Sequence, residues 1–260
     1  MQKKTLTVII PSRFQPKQLS FLEKAVQSIK KQTAIDNYDL TVLVSVDKGK
    51  MLEKNAIEQL KVRCIESSGG SQASALNAAI DLVDTQFAAF LEDDDEWYPK
   101  YLEAAAQAIL FAPFVSSTQL EYDENNVLLR INDFPTPSGW FMSSDVLKSV
   151  GKFNEEYRFH LDNEWLGRLS LAKVSRIHLV EATAPVDARY IAAVRPWLDN
   201  VLKSSKGSVR LARHSEALPL VRRLRHSEAG MEKIATLPDY RARSQSECRS
   251  LVERFGRIPW

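Results

Sequence analysis

The chain has 260 residues, 44% of them hydrophobic and 26% charged, with a net charge of +2. This is ordinary globular composition, long enough for one substantial core or a core with an appendage, and it excludes a disordered or fibrous chain. The charge is uneven: residues 203–260 carry 13 Lys/Arg against 6 Asp/Glu, a surplus of +7 that leaves −5 for the remainder.

Leu6 to Ile10 is an apolar, β-branched run ended by Pro11, which predicts a buried strand. Leu19, Leu22, Val26 and Ile29 follow at helical spacing. A second β-branched run, Leu40 to Val46, ends at Asp47-Lys48-Gly49. Glu53 to Leu60 reads as a short helix and Val62 to Ile65 as a short strand. Gly69-Gly70-Ser71 opens a helix predicted to run through Val83. Phe87 to Leu91 is a further strand, and Tyr101 to Leu110 a helix. Strands are expected at Phe114 to Tyr122 and Val127 to Ile131, with a hairpin turn at residues 123–126. Beyond Arg195-Pro196-Trp197 the pattern is mostly helical, broken by Pro219 and Pro238. It contains a small echo, Arg213-His214-Ser215-Glu216-Ala217 and Arg225-His226-Ser227-Glu228-Ala229, too short for a repeat architecture and assigned no metal.

Strand alternating with helix predicts an α/β sheet with right-handed crossovers. Ligands in such sheets bind outside the carboxyl ends of the strands. Here those ends are Pro11-Ser12-Arg13, Asp47 and Glu92. Cys64 and Cys248 are too few and too far apart for a disulfide framework, and with no visible signal peptide a cytoplasmic setting is expected. The longest apolar stretch, Ala104 to Val115, is too short to span a bilayer. A basic tail suggests a solvated helical face or peripheral contact with the anionic inner face of a membrane.

The sharpest local signal is Glu92-Asp93-Asp94-Asp95, four acids between an apolar strand and Glu96-Trp97-Tyr98-Pro99. Like charges this close disfavour one another's ionisation. A hard divalent cation, Mn²⁺ or Mg²⁺, relieves that and brings a phosphorylated substrate with it.

With the acids placed, the chain resembles a family 2 glycosyltransferase of the GT-A fold over roughly its first 190 residues. The matching segments, in order, are Thr7 to Pro11, Leu22 to Thr33, Val46 to Gly49, Gly70 to Asn77, Leu91 to Pro99, Gly151-Lys152-Phe153-Asn154-Glu155 and Asp162 to Arg168. Three departures stand out. Glu92 replaces the usual first Asp, Leu76 stands where an Arg often precedes the Asn, and Ser12-Arg13-Phe14 replaces a Tyr-Asn.

The resemblance implies a single Rossmann-like α/β/α sandwich over residues 1–192; charge and pattern beyond it predict a basic, mostly helical extension over 193–260. The resemblance implies inverting, metal-assisted transfer from a nucleotide-diphosphate sugar to an acceptor hydroxyl on a glycan, a lipid-linked sugar or a small molecule, without nucleic acid. The donor nucleotide falls to Pro11, Asp47, Gly70, Asn77 and Asp93, with Asp47 toward the base and Asp93 toward the ribose; Arg13, part of a departure from the family pattern, is read from its charge as a donor-site residue facing the diphosphate. Metal falls to Asp94 and Asp95. Asp162 is the expected general base, with Glu164 the alternative and His160 its expected hydrogen-bond partner. Trp140 and Trp165 are candidates for stacking on sugar, and Arg168 completes the acceptor side. Two other readings compete. A nucleotidyltransferase would want a Gly-rich, Lys-bearing loop that Pro11-Ser12-Arg13-Phe14 lacks. A non-catalytic glycan- or nucleotide-binding module would have little use for the acids and Asp162.

Overall fold

The computed structural model describes residues 3–14, 18–182 and 208–260. The expected boundary at 192/193 and the Arg195-Pro196-Trp197 segment lie outside them. The first half alternates as its pattern predicts. β1 (Lys4–Ser12), α1 (Gln18–Lys30), β2 (Tyr38–Val46), α2 (Lys54–Leu60), β3 (Arg63–Glu66), α3 (Gln72–Ile80) and β4 (Phe87–Phe90) follow in turn. β1 runs on through Pro11 to Ser12, and α3 stops at Ile80, short of Val83.

β5 (Glu96–Trp97), α4 (Tyr101–Ala108), β6 (Phe114–Ser117), β7 (Gln119–Asp123) and β8 (Leu128–Asn132) come next. The expected strand 114–122 is therefore two strands, and Thr118 is where the chain leaves one sheet for another. The hairpin turn is present: Asp123 accepts from the backbone N–H groups of Asn125 and Val127, and Asn126 takes φ +64°. β9 (Phe141–Ser143), α5 (Ser144–Val150), α6 (Leu161–Leu171), β10 (Arg176–Val180), β11 (Val209–Arg213), β12 (Val221–Arg225), α7 (Gly230–Thr236) and α8 (Pro238–Phe255) complete the described chain. The tail thus holds the expected helices and two strands that its pattern did not announce.

The main sheet has the order β11-β10-β6-β9-β4-β1-β2-β3, and only β9 runs antiparallel to its neighbours. Along β1, Leu6, Val8 and Ile10 face the core beneath α1 and α4, while Ile9 faces the core beneath α3, α5 and α6. Side chains of a strand alternate between its faces, so this division makes an α/β/α sandwich. The direction of winding reverses between β1 and β4, which opens a crevice at their carboxyl ends. A second sheet, β5-β12-β7-β8, stands beside that crevice, with β12 between β5 and β7. Among the described residues no helix is long and apolar enough to cross a membrane.

Candidate functional site

The site is built from three strand ends. Ser12, the last residue of β1, donates its hydroxyl to Asp93 just beyond β4, so the two strands at the reversal are tied across the crevice. Asp93 is buried, and burial together with the neighbouring Asp94 pushes its carboxyl up to about 8, against the pull of Ser12 and Arg13. Asp47, beyond β2, is half-buried. Burial raises it, while Arg13 and Lys50 act the other way. The charge of Arg13 thus acts on both Asp47 and Asp93. The loops beyond β2 and β3 are joined by Lys48 N–H donating to the Gly69 carbonyl, 3.1 Å. Ser71 caps α3 in a reciprocal capping box with Ser74. Gly70 is exposed at this corner, and a Cβ there would meet nothing.

Glu92, Asp94 and Asp95 bring carboxylate oxygens within 4.8 Å of one another. Two residues of β12 and its C-terminal end enter this cluster. Arg223 sets Nη2 2.9 Å from Glu92 Oε2 and Nε 3.3 Å from Asp95 Oδ2. His226 sets Nε2 2.9 Å from Asp94 Oδ2, a hydrogen bond that raises the imidazole against the opposing effect of burial. Asp95 is 1% exposed and also accepts from Ser138 and from the Leu224 N–H. Glu92 accepts from Gln72 Nε2 at 2.7 Å. A cleft of about 160 Å³ opens beside Asp94, lined among others by Phe21, Lys24, Glu96 and Arg222.

Asp162 sits in the first turn of α6, half-buried. Burial pushes its carboxyl up to about 6, against the Asn163 N–H and His160; Glu92 and Arg223 also act on it, the first raising and the second lowering it. Asp162 therefore shares one electrostatic neighbourhood with the acid cluster.

Several expected site residues lie elsewhere. Trp140 and Trp165 are fully buried, packed with Phe90, Phe114 and Phe153 in an aromatic block beneath the acids. Their indole N–H groups bond the Pro135 and Gly151 carbonyls, so neither ring offers a face to a sugar. Glu164 is also fully buried and pairs with Arg168 and Arg254. Arg168 donates onward to the Val150 and Lys152 carbonyls, holding the 150s loop. His160 is bonded to Asn163, Ser244 and Cys248 rather than to Asp162, which it influences only through space. Asn77 is buried and clamps the backbone of Phe153 from both sides. Leu76 is core, and Pro11 is buried within β1.

The residues that sequence reasoning missed are Arg223 and His226. The one available signal was the echo: each copy begins with the last Arg of a strand and the His that follows it, β11 with His214 and β12 with His226.

The model of the family described as "Glycosyl transferase family 2" matches residues 7–166. No curated protein matches in sequence. Solved structures are similar at low identity. S. aureus TarS 1-349 in complex with UDP shares 12% identity at a TM-score of 0.56, covering 97% of this chain and 72% of its own. M. tuberculosis glucosyl-3-phosphoglycerate synthase shares 12% at 0.54, covering 98% and 81%. The mannosyltransferase PcManGT from Pyrobaculum calidifontis, in complex with GDP-Man and Mn²⁺, shares 15% at 0.54, covering 74% and 60%. The chain spans 55% of TarS 1-349 in another crystal structure and 43% of a longer TarS chain. At these identities the likeness is one of fold, and it is the GT-A fold. Arg223 and His226 lie beyond the stretch matched by the family model.

Proposed function

The chain belongs to glycosyl transferase family 2, and from that membership we propose that it transfers a sugar, with inversion, from a nucleotide-diphosphate sugar to an acceptor hydroxyl. The observation that carries this reading is the gathering of acids at the strand reversal, where Ser12 of β1 bonds Asp93 and Glu92, Asp94 and Asp95 lie within 4.8 Å of one another, with Arg13 and Asp162 in electrostatic reach of them. In this reading Asp47 and Asp93 hold the base and ribose, and Arg13 meets diphosphate charge.

Of the acids, Asp94 with His226 suits a Mn²⁺ or Mg²⁺ ion: both oxygens of Asp95 and of Glu92 accept from protein donors, whereas Asp94 meets His226 through Oδ2, and that imidazole could give up its proton and serve as a ligand itself. These ions bind through one or two protein groups together with substrate phosphates and waters. Bound there, the ion would neutralise charge on the diphosphate oxygens.

Asp162 takes the acceptor proton as the acceptor oxygen bonds to the anomeric carbon and the bond from that carbon to the diphosphate breaks. A carboxyl raised to about 6 is ionised at neutral pH and more basic than an exposed one, which suits a general base. A single base acting on the acceptor suits direct displacement, which needs no second carboxylate as nucleophile. Sugar nucleotides in complexes of proteins with this fold support the donor class.

Ion pairs within the chain count against membrane contact through the basic tail. Arg222, Arg223, Arg225, Arg243 and Arg254 all pair with carboxylates of this chain. A lipid surface would meet fewer free cations than the count suggests.

Thermal shift with UDP-, GDP- and dTDP-sugars, with and without Mn²⁺, tests the donor class, since a ligand bound only by the folded state raises its apparent stability. Stabilisation by at least one sugar nucleotide, followed by turnover to a free nucleoside diphosphate, is expected. Binding without turnover across all acceptor pools would favour the non-catalytic module instead.

A further inference from the structure

Arg223 belongs to the second sheet, but its guanidinium is turned into the acid cluster of the first. It reaches Glu92 at 2.9 Å, Asp95 at 3.3 Å and Glu121 at 3.8 Å. Glu121 is buried and anchored in turn by Arg130 and Asn132, so the network continues into the β7–β8 hairpin. Each carboxylate oxygen of Glu92 and Asp95 carries a donor from the protein: Gln72 and Arg223 on Glu92, Leu224 N–H, Ser138 and Arg223 on Asp95. A divalent ion would compete with these donors at every oxygen, and Asp95 Oδ2, with two donors, has no lone pair left for it. It would also sit a few ångströms from a guanidinium that does not give up its charge.

We propose that Arg223 is a built-in counter-cation that bars a divalent ion from Glu92 and Asp95, so that the free protein holds the ion poorly and takes it up together with the donor diphosphate. The coupling to a donor rests on the nucleotide-sugar reading. The exclusion by Arg223 does not.

The identity of Glu92 follows from the same geometry. Its side chain bridges Gln72 on the first turn of α3 and Arg223 on β12. An aspartate, one methylene shorter, would not span both. The unusual first acid of the cluster is a strut between the two halves of the site.

Calorimetric titration of Mn²⁺ into the wild-type protein alone is the first measurement. Half-saturation at ~1 mM or weaker is expected, tightening at least about tenfold when UDP, GDP or inorganic pyrophosphate is present. An ion bound alone within about threefold of its affinity with those ligands overturns the proposal. The second measurement is Mn²⁺ alone on Arg223→Met, where Glu92 and Asp95 lose their counter-cation. Binding at least about tenfold tighter than in wild type is expected, and equal affinity overturns the proposal. If Arg223→Met does not fold, the wild-type titrations decide. If neither UDP nor GDP binds with Mn²⁺ while pyrophosphate does, the donor reading is what fails, and the pyrophosphate and Arg223→Met comparisons still judge Arg223.

Discussion

His226 Nε2 lies 2.9 Å from Asp94 Oδ2 across a separation of 132 residues. The imidazole also packs against Phe21 of α1, centroids 5.4 Å apart, which fixes the ring from its other side. An ion taken up here would replace the proton shared by the pair, with the ring already held in place. Replacing Asp94 by Ala is expected to lower Mn²⁺-dependent turnover by about two orders of magnitude or more. His226→Ala should lower it by roughly tenfold to a hundredfold. Both should melt cooperatively near the wild-type temperature. Full turnover in Asp94→Ala would remove the metal reading.

Asp162 gives a pH prediction. A general base works only when deprotonated, so kcat/KM should rise roughly tenfold per pH unit below about 6 and level off above it. Asp162→Asn should remove both the limb and most of the turnover. The same shift has a consequence for stability. The folded carboxyl binds its proton more tightly than the unfolded one, ordinarily at 3.8. Its contribution to stability is therefore highest below 3.8 and falls as pH rises through about 6. Denaturant titrations should show that decline in wild type and its loss in Asp162→Asn.

Trp140 separates core from binding surface. Trp140→Ala is expected to cost about 3–5 kcal/mol of stability. The conservative Trp140→Phe, which keeps most of the buried area, should leave KM for donor and acceptor unchanged. A large rise in KM with little change in stability would return the ring to the site.

Gly167 tests how α8 is docked. A Cβ at this position would meet the Phe255 ring at 2.6–2.8 Å, so α6 and α8 approach there without room for a side chain. Gly167→Ala should destabilise the protein by about 1–3 kcal/mol, through overpacking. Because Glu247 of α8 accepts from the backbone N–H groups of Arg158, Phe159 and His160, at the start of α6, the loss should also reduce turnover through Asp162. A variant as stable as wild type would show that the ring moves aside.

The front half of the site was legible because each piece is local. Pro11-Ser12-Arg13, Asp47 and Glu92 to Asp95 each follow an apolar run, and an alternating α/β sheet sends such strand ends to one edge. Arg223 and His226 were not legible. Val221-Arg222-Arg223-Leu224-Arg225 has only five residues and three arginines, so composition points to a solvated face. Nothing in it says which acids, more than a hundred residues earlier, it will neutralise. Trp140 and Trp165 failed for the complementary reason: an aromatic beside a motif looks the same in sequence whether it lines a site or supports it from beneath. Glu164 and Arg168 sit one turn apart on α6, and only the packing of α8, with Arg254, shows that their face is buried.

The position of β12 has a consequence for how the protein is made. Synthesis runs from the N-terminus, and Glu92 precedes Arg223 by 131 residues. The acids leave the ribosome long before their counter-charge, and the corner they form lacks its guanidinium until β12 is in place between β5 and β7. The step that completes the fold is then also the step that completes the site, so a chain halted before residue 221 yields neither a finished protein nor a partly active one.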